Sequence, residues 1–126
     1  MKKSLKSLGF ALTGLVHAVR EERNIRLFLL MHVVIFALAF ALALPLSAWI
    51  FIGFLMGMFL VTELLNTSIE RTVDTFDDCE KKRNGGHFHP GLKHAKDTAA
   101  AASLIALVVE VCMLIFLFLP YILIRL

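Results

Sequence analysis

Polar and apolar positions alternate in blocks along this chain, and the blocks predict helices. From Leu27 to Thr62 there is no Asp, Glu, Lys or Arg, and His32 is the sole ionisable side chain. A membrane-spanning helix needs about 20 apolar residues. The run is too long for one span and suits two. Pro45 supplies the break, because proline and the residue before it both oppose helix continuation. Spans are therefore predicted over about 27–44 and 46–65. A third apolar run from Ala99 to Leu119, with Pro120 beyond it, predicts a span over about 99–120.

Ahead of the spans, Leu5, Leu8, Leu12, Leu15, Val16 and Val19 fall on one face of a helix, and Lys2, Lys6, Thr13, His17 and Arg20 on another. A basic amphipathic helix before a span lies in the headgroup plane, which predicts a surface helix over about 4–23. Between the second and third spans, residues of about 71–97 read as a polar loop, with Asn84-Gly85-Gly86 and Pro90-Gly91 as turn signals. Lys96-Asp97 is expected to open the third spanning helix, with Asp97 at the positive end of its dipole. The predicted fold is an all-α membrane protein, a single domain over 1–126 with three transmembrane helices plus the N-terminal amphipathic surface helix.

Composition agrees. The chain is 59% hydrophobic against about 45–50% for a soluble domain. Six Lys/Arg lie in residues 1–26, six in 71–97, and only Arg125 elsewhere. The positive-inside rule then puts the N-terminus and the 71–97 connection in the cytoplasm and the C-terminus outside the cell membrane. No cleavable signal peptide is expected, because the first apolar run starts only at Leu27. Cys79 and Cys112 fall in a polar and an apolar segment and are not expected to bridge. Gly53 and Gly57 have the spacing that lets helix backbones approach in lipid. Three spans bury little surface alone, so an oligomer is expected.

The chemistry concentrates where the second apolar run ends, in "ELLNTSIERTVD". At 100° per residue Glu63, Asn66, Glu70 and Asp74 share one stripe about 16 Å long. A solvated helix end would explain such a stripe, but Glu63 abuts the apolar run, where a carboxylate faces protein, cations or water. Hard divalent cations take oxygen ligands, and phosphoryl transfer needs such a metal, a base and cations for the phosphates. Glu22, Glu63, Asn66, Glu70, Lys96 and Asp97 all lie at the predicted cytoplasmic boundary, where a hydroxyl-bearing lipid and ATP could meet. Neither GxxxxGK[ST] nor GxGxxG occurs.

That stretch, with "ALTGLVHAVREERNIR" upstream and "HAKDTAAAA" downstream, resembles the small prokaryotic diacylglycerol kinase family, which includes undecaprenol kinases. The resemblance covers nearly the whole chain. It implies a homotrimeric, ATP-dependent lipid kinase using Mg²⁺, with undecaprenol as the favoured acceptor and diacylglycerol as the alternative. By position, Glu63 matches the catalytic base, and Glu22 and Glu70 the metal-holding acids. Glu63 and Asn66 match substrate contacts. Phe10, Glu22, Arg26, Glu70, Asp74, His89, Lys96 and Asp97 match nucleotide contacts. Glu21, beside Glu22, ranks second.

The sequence departs from the family pattern in two places. The connection between Asp74 and His89 is longer by roughly "CEKKRNGG", which reads as a solvated insertion. Lys81, Lys82 and Arg83 within it could instead bind anionic headgroups. Glu110 stands midway along the third span, where an acid should be protonated or paired, and His32 is a possible partner. Cys79, His87, His89 and His94 fit no standard zinc spacing and read as polar loop. No nucleic-acid partner is expected. A transporter or channel subunit would instead use midplane acids, of which Glu110 is the one example, and a structural scaffold leaves the Glu63 stripe without a purpose.

Overall fold

The computed structural model describes residues 2–84 and 90–125. In chain order the helices are α1 (Lys2–Glu21), α2 (Arg23–Ala41), α3 (Leu46–Asn84) and α4 (Pro90–Leu123). No strand occurs among the described residues. The chain is a multi-pass membrane protein, since α2, α3 and α4 are each long and apolar enough to cross a bilayer. Their outward faces stay apolar: Leu30, Val33, Ile50, Phe54, Ile105 and Phe116 are all exposed, as lipid-facing side chains would be.

α1 ends at Glu21, where Glu22 takes extended backbone angles and caps α2. Leu5, Leu8, Leu12 and Val16 on α1 remain exposed, while Ala18 is buried. The apolar face of α1 is thus free of protein cover, which suits a helix lying on lipid.

α2 stops three residues before the predicted end, and backbone geometry explains why. Leu44 N–H bonds to Ala39 O at 3.0 Å and Ala43 N–H to Phe40 O at 3.0 Å, the paired bonds of a Schellman cap. Ala43 sits at φ 53°, the left-handed position that glycine usually fills. Leu44 and Ala39 then join the apolar core with Ala48, Ile52, Leu114 and Phe118. Trp49 donates its indole N–H to Leu44 O at 3.2 Å, and its ring stacks with Phe36 at 5.7 Å. Arg125 closes this end by donating to Ala41 O at 2.9 Å and Leu42 O at 3.0 Å. A cation on these free carbonyls complements the C-terminal end of the helix dipole.

The polar connection expected over 71–97 is mostly helix. α3 is 39 residues long and runs about 30 Å beyond Glu63. No Gly or Pro interrupts it after Gly57. An Asp77–Lys81 ion pair at i,i+4 supports the extension, and Lys81, Lys82 and Arg83 in its last turn suit the dipole. At the other side α4 begins at Pro90, a first-turn position that proline tolerates well. Lys96 and Asp97 therefore lie inside α4 instead of opening it, and Asp97 is no dipole cap. α4 also continues past Pro120 to Leu123.

α3 is the central element. α4 packs most extensively on it and α2 less so, while α1 leans on α2. Gly53 and Gly57 are not used inside the protomer, as a Cβ added at either would meet nothing within 4 Å.

Candidate active site

At the polar end of the spans, α2, α3 and α4 enclose a cleft of ≈ 520 Å³. Its polar lining comes from Asn24, Glu63, Asn66, Glu70 and Ser103. Its deeper walls are apolar and include Leu27, Phe28, Met31, Phe59 and Leu107. Helical phase decides the membership. Glu63, Asn66 and Glu70 recur at intervals of three and four, so one face of α3 carries all three into the same space.

Glu63 is buried, 7% exposed, at the inner edge of that lining. Ser103, also 7% exposed, donates its hydroxyl to Glu63 Oε2 across the α3–α4 interface. Asn66 donates through Nδ2 to Glu70 Oε1 at 3.4 Å. The Asn66 carbonyl oxygen Oδ1 is buried and has no hydrogen-bond partner. A buried acceptor costs free energy unless something satisfies it. A ligand hydroxyl, a hydrated cation or water would do so.

Around the mouth, charged side chains are tied in pairs. Arg71 meets Glu22 at 2.7 Å, linking α3 to the start of α2. Lys96 meets Asp74 at 2.8 Å, linking α4 to α3. The Asp74 hydrogen bond holds the Lys96 ammonium above its ordinary pKa, so the side chain stays cationic. On the extension, Lys81 is raised in the same way by Asp77. Arg26 donates to the Arg20 carbonyl and to Val19 O at 3.5 Å, bridging the α1–α2 corner.

The predicted site residues thus fall into three sets. Glu63, Asn66 and Glu70 line the cleft together. Glu22, Asp74, Lys96 and Arg26 form contacts at or near its rim. Phe10, Asp97 and Glu21 are exposed and outside the lining. His89 lies outside the described residues, as does His87 of the zinc group; among the described residues no three His, Cys, Asp or Glu side chains converge to hold a metal. Mg²⁺ does not require such a cage, since it takes one or two carboxylates and completes its shell with phosphates and water. The all-oxygen donors Glu70 and Asn66, with one acceptor unsatisfied, fit that hard cation.

Two residues of the cleft and one near its rim were not legible beforehand. Ser103 reads as one more small residue in an apolar run, Asn24 as part of a charged corner, and Arg71 as loop charge. For Ser103 a signal did exist. With Ala99, Glu110, Leu114 and Phe118 it forms the buried stripe of α4, a phase that helical spacing reveals once the stripe is sought.

A three-span membrane protein with a buried carboxylate at the polar end of an otherwise apolar cleft has the form of an enzyme acting on lipids at the bilayer surface. Comparison with known proteins identifies the chemistry. Residues 9–118 match the family described as prokaryotic diacylglycerol kinase. The chain is 32% identical over 120 residues to the undecaprenol kinase of Bacillus subtilis, covering 95% of this chain and 91% of that one. It is 34% identical over 109 residues to a diacylglycerol kinase of Pseudomonas aeruginosa, covering 86% and 82%. A diacylglycerol kinase of Helicobacter pylori is 35% identical over 107 residues, covering 85% and 77%. No solved structure matches the chain. The protein belongs to the prokaryotic diacylglycerol kinase family and is a lipid kinase.

Proposed function

We propose that this lipid kinase transfers the γ-phosphoryl group of ATP to undecaprenol, giving undecaprenyl phosphate and ADP. The observation that carries the reading is the division of the cleft. Its hydrogen-bonding side chains gather at one end, and the walls beyond Ser103 are Leu27, Phe28, Met31, Phe59 and Leu107. A polyprenol matches this, because its single hydroxyl stands on a chain without polar atoms. The glycerol esters of a diacylglycerol would bring two carbonyls against walls that offer no donor among these residues. The similarity to an undecaprenol kinase over 95% of the chain adds support.

In this reading Glu63 is the general base. The lipid hydroxyl oxygen attacks the γ-phosphorus, the bond to the β-phosphate oxygen breaks, and the hydroxyl proton passes to Glu63. Ser103 holds one carboxylate oxygen so that the other meets the acceptor. Asn66 offers its unsatisfied carbonyl to the acceptor or to a hydrated ion. Glu70 and Glu22 would hold Mg²⁺, which supplies charge neutralisation on the phosphates when bound. Arg71 keeps Glu22 beside Glu70's helix. Lys96 supplies positive charge for the nucleotide phosphates, with Asp74 fixing its direction. Phe10, Arg26, Asp97 and His89 would border the nucleotide.

The active assembly is proposed to be a homotrimer, with the N-terminus and the α3–α4 connection cytoplasmic and the C-terminus outside. The apolar faces of the spans and the unused Gly53 and Gly57 leave room for helix contacts between protomers.

The test offers labelled ATP and Mg²⁺ to the protein in bilayer discs with undecaprenol or diacylglycerol separately. Preferred transfer to undecaprenol is expected. Preferred transfer to diacylglycerol would reverse the substrate assignment, and transfer to neither would remove the reading. Glu63→Gln should abolish turnover while ATP binding persists, and wild-type turnover in that variant would exclude Glu63 as base.

A further inference from the structure

Two turns below Ser103 on the same stripe of α4, about 10 Å deeper in the bilayer, stands Glu110. It meets His32 of α2, with His32 Nε2 at 2.6 Å from Glu110 Oε1 and both side chains 1% exposed. The proposed reaction uses neither residue. An isolated ionisable group at this depth is costly, so each is tolerable because of the other.

A hydrogen bond to the backbone orients the His32 ring. His32 Nδ1 lies 3.1 Å from Phe28 O. A carbonyl oxygen can only accept, so Nδ1 carries a proton and donates. Nε2 and Oε1 meet as an ion-pair contact at 2.6 Å, while neither these atoms nor Glu110 Oε2 has a hydrogen-bond partner of good geometry. The pair is a clasp between α2 and α4, which line the cleft together with α3.

The clasp bears on the cleft through aromatic stacking. The His32 ring packs on Phe28 with centroids 4.2 Å apart. Phe28 in turn stacks on Phe59 of α3 at 4.2 Å. Phe28 and Phe59 belong to the inner lining of the cleft. His32 is thus tied on two sides: to α4 through Glu110, and to the cleft lining through Phe28.

We propose that His32 and Glu110 are positioning residues for the acceptor lipid: their clasp holds Phe28 on Phe59 and so sets the width of the apolar channel that receives the chain next to the reacting hydroxyl. The inference rests on the proposed acceptor reading and extends it. A channel held narrow by a fixed aromatic pair takes one prenyl chain and excludes the two acyl chains of a diacylglycerol. Packing alone would not need this chemistry, since apolar side chains of similar volume commonly replace a buried ion pair without loss of stability. The clasp adds a fixed register between α2 and α4, because a slipped register would leave both polar groups alone in hydrocarbon.

The experiment compares wild type, Glu110→Gln, the double variant His32→Leu/Glu110→Leu, and Phe28→Ala, all in bilayer discs. KM and kcat are measured for ATP, undecaprenol and dioleoylglycerol. Glu110→Gln keeps a donor toward Nε2 and should retain the wild-type preference. The double variant, which removes both polar groups of the clasp, should fold and keep its KM for ATP. Its KM for undecaprenol should rise about tenfold, the size of effect that a small misfit in an apolar pocket produces, and its preference over dioleoylglycerol should shrink by a similar factor. Phe28→Ala leaves the clasp intact and removes the surface it holds, so it should show the same loss of preference, and it decides the matter should the double variant not fold. Unchanged lipid KM values and preference in these variants would overturn the proposal while leaving the kinase reading in place. A wild type that phosphorylates neither lipid would overturn both.

Discussion

Replacing Ser103 by alanine tests whether the Glu63 carboxylate is held for chemistry. The serine hydroxyl is its one hydrogen-bond donor among the described side chains, and both residues are 7% exposed. A hydrogen bond to a charged group contributes roughly 1.5–3 kcal/mol. If that free energy orients the base in the transition state, its loss lowers kcat by about 10- to 160-fold. Two effects pull the result toward the lower end. An unrestrained carboxylate still visits the productive orientation, and the flanking cleft side chains still confine it. About tenfold is therefore the expected fall. Ser103→Thr retains a hydroxyl at the same position and should stay within about threefold of wild type. The assay is steady-state transfer from labelled ATP to a saturating lipid alcohol, with KM for both substrates measured alongside. A purely packing role for Ser103 predicts that Ala, a good residue for a helix interior, would be neutral. A Ser103→Ala variant with kcat within twofold of wild type and unchanged KM values would refute the assignment.

Further outcomes follow from the same geometry. Glu70→Ala should weaken the apparent affinity for Mg²⁺ by about tenfold, or 1.4 kcal/mol, and an unchanged metal titration of turnover would remove Glu70 from the metal site. Gly57→Leu meets empty space in the protomer, so the protomer's own stability should shift by no more than about 0.5 kcal/mol. The same variant should lose the oligomer on chemical cross-linking if protomers meet along this face, and an intact oligomer would rule the face out. Cys79 is exposed on the extension of α3. A membrane-impermeant thiol reagent should therefore label it in inverted vesicles but not in intact cells, and the opposite pattern would reverse the proposed orientation.

Much of this protein is written in its composition and spacing. The three spans follow from the bilayer, which demands apolar runs of a set length, and Pro45 could only mark a break. The shared face of Glu63, Asn66 and Glu70 follows from helical period alone. His32 could be named as Glu110's partner because a buried acid in hydrocarbon admits few solutions.

The connection was misjudged for a local reason. Polar residues between spans look like loop, yet "TFDDCEKKR" has the helix formers and i,i+4 charges to prolong α3, and Pro90 starts a helix as readily as it ends one.

What spacing leaves open is which helices meet and at what register, because those depend on contacts between residues distant in the chain. Only the packed fold put Ser103 on Glu63, 40 positions away. Only the packed fold paired Glu22 with Arg71 across 49 positions, Asp74 with Lys96, and seated His32 against Phe28 and Glu110. The sequence by itself determined a membrane protein with an acidic face at one end of its spans. The tertiary structure decided which of those acids is buried, which are tied to cations, and which aromatic pair lines the cleft, since each is settled by the neighbour that a particular interhelical register supplies.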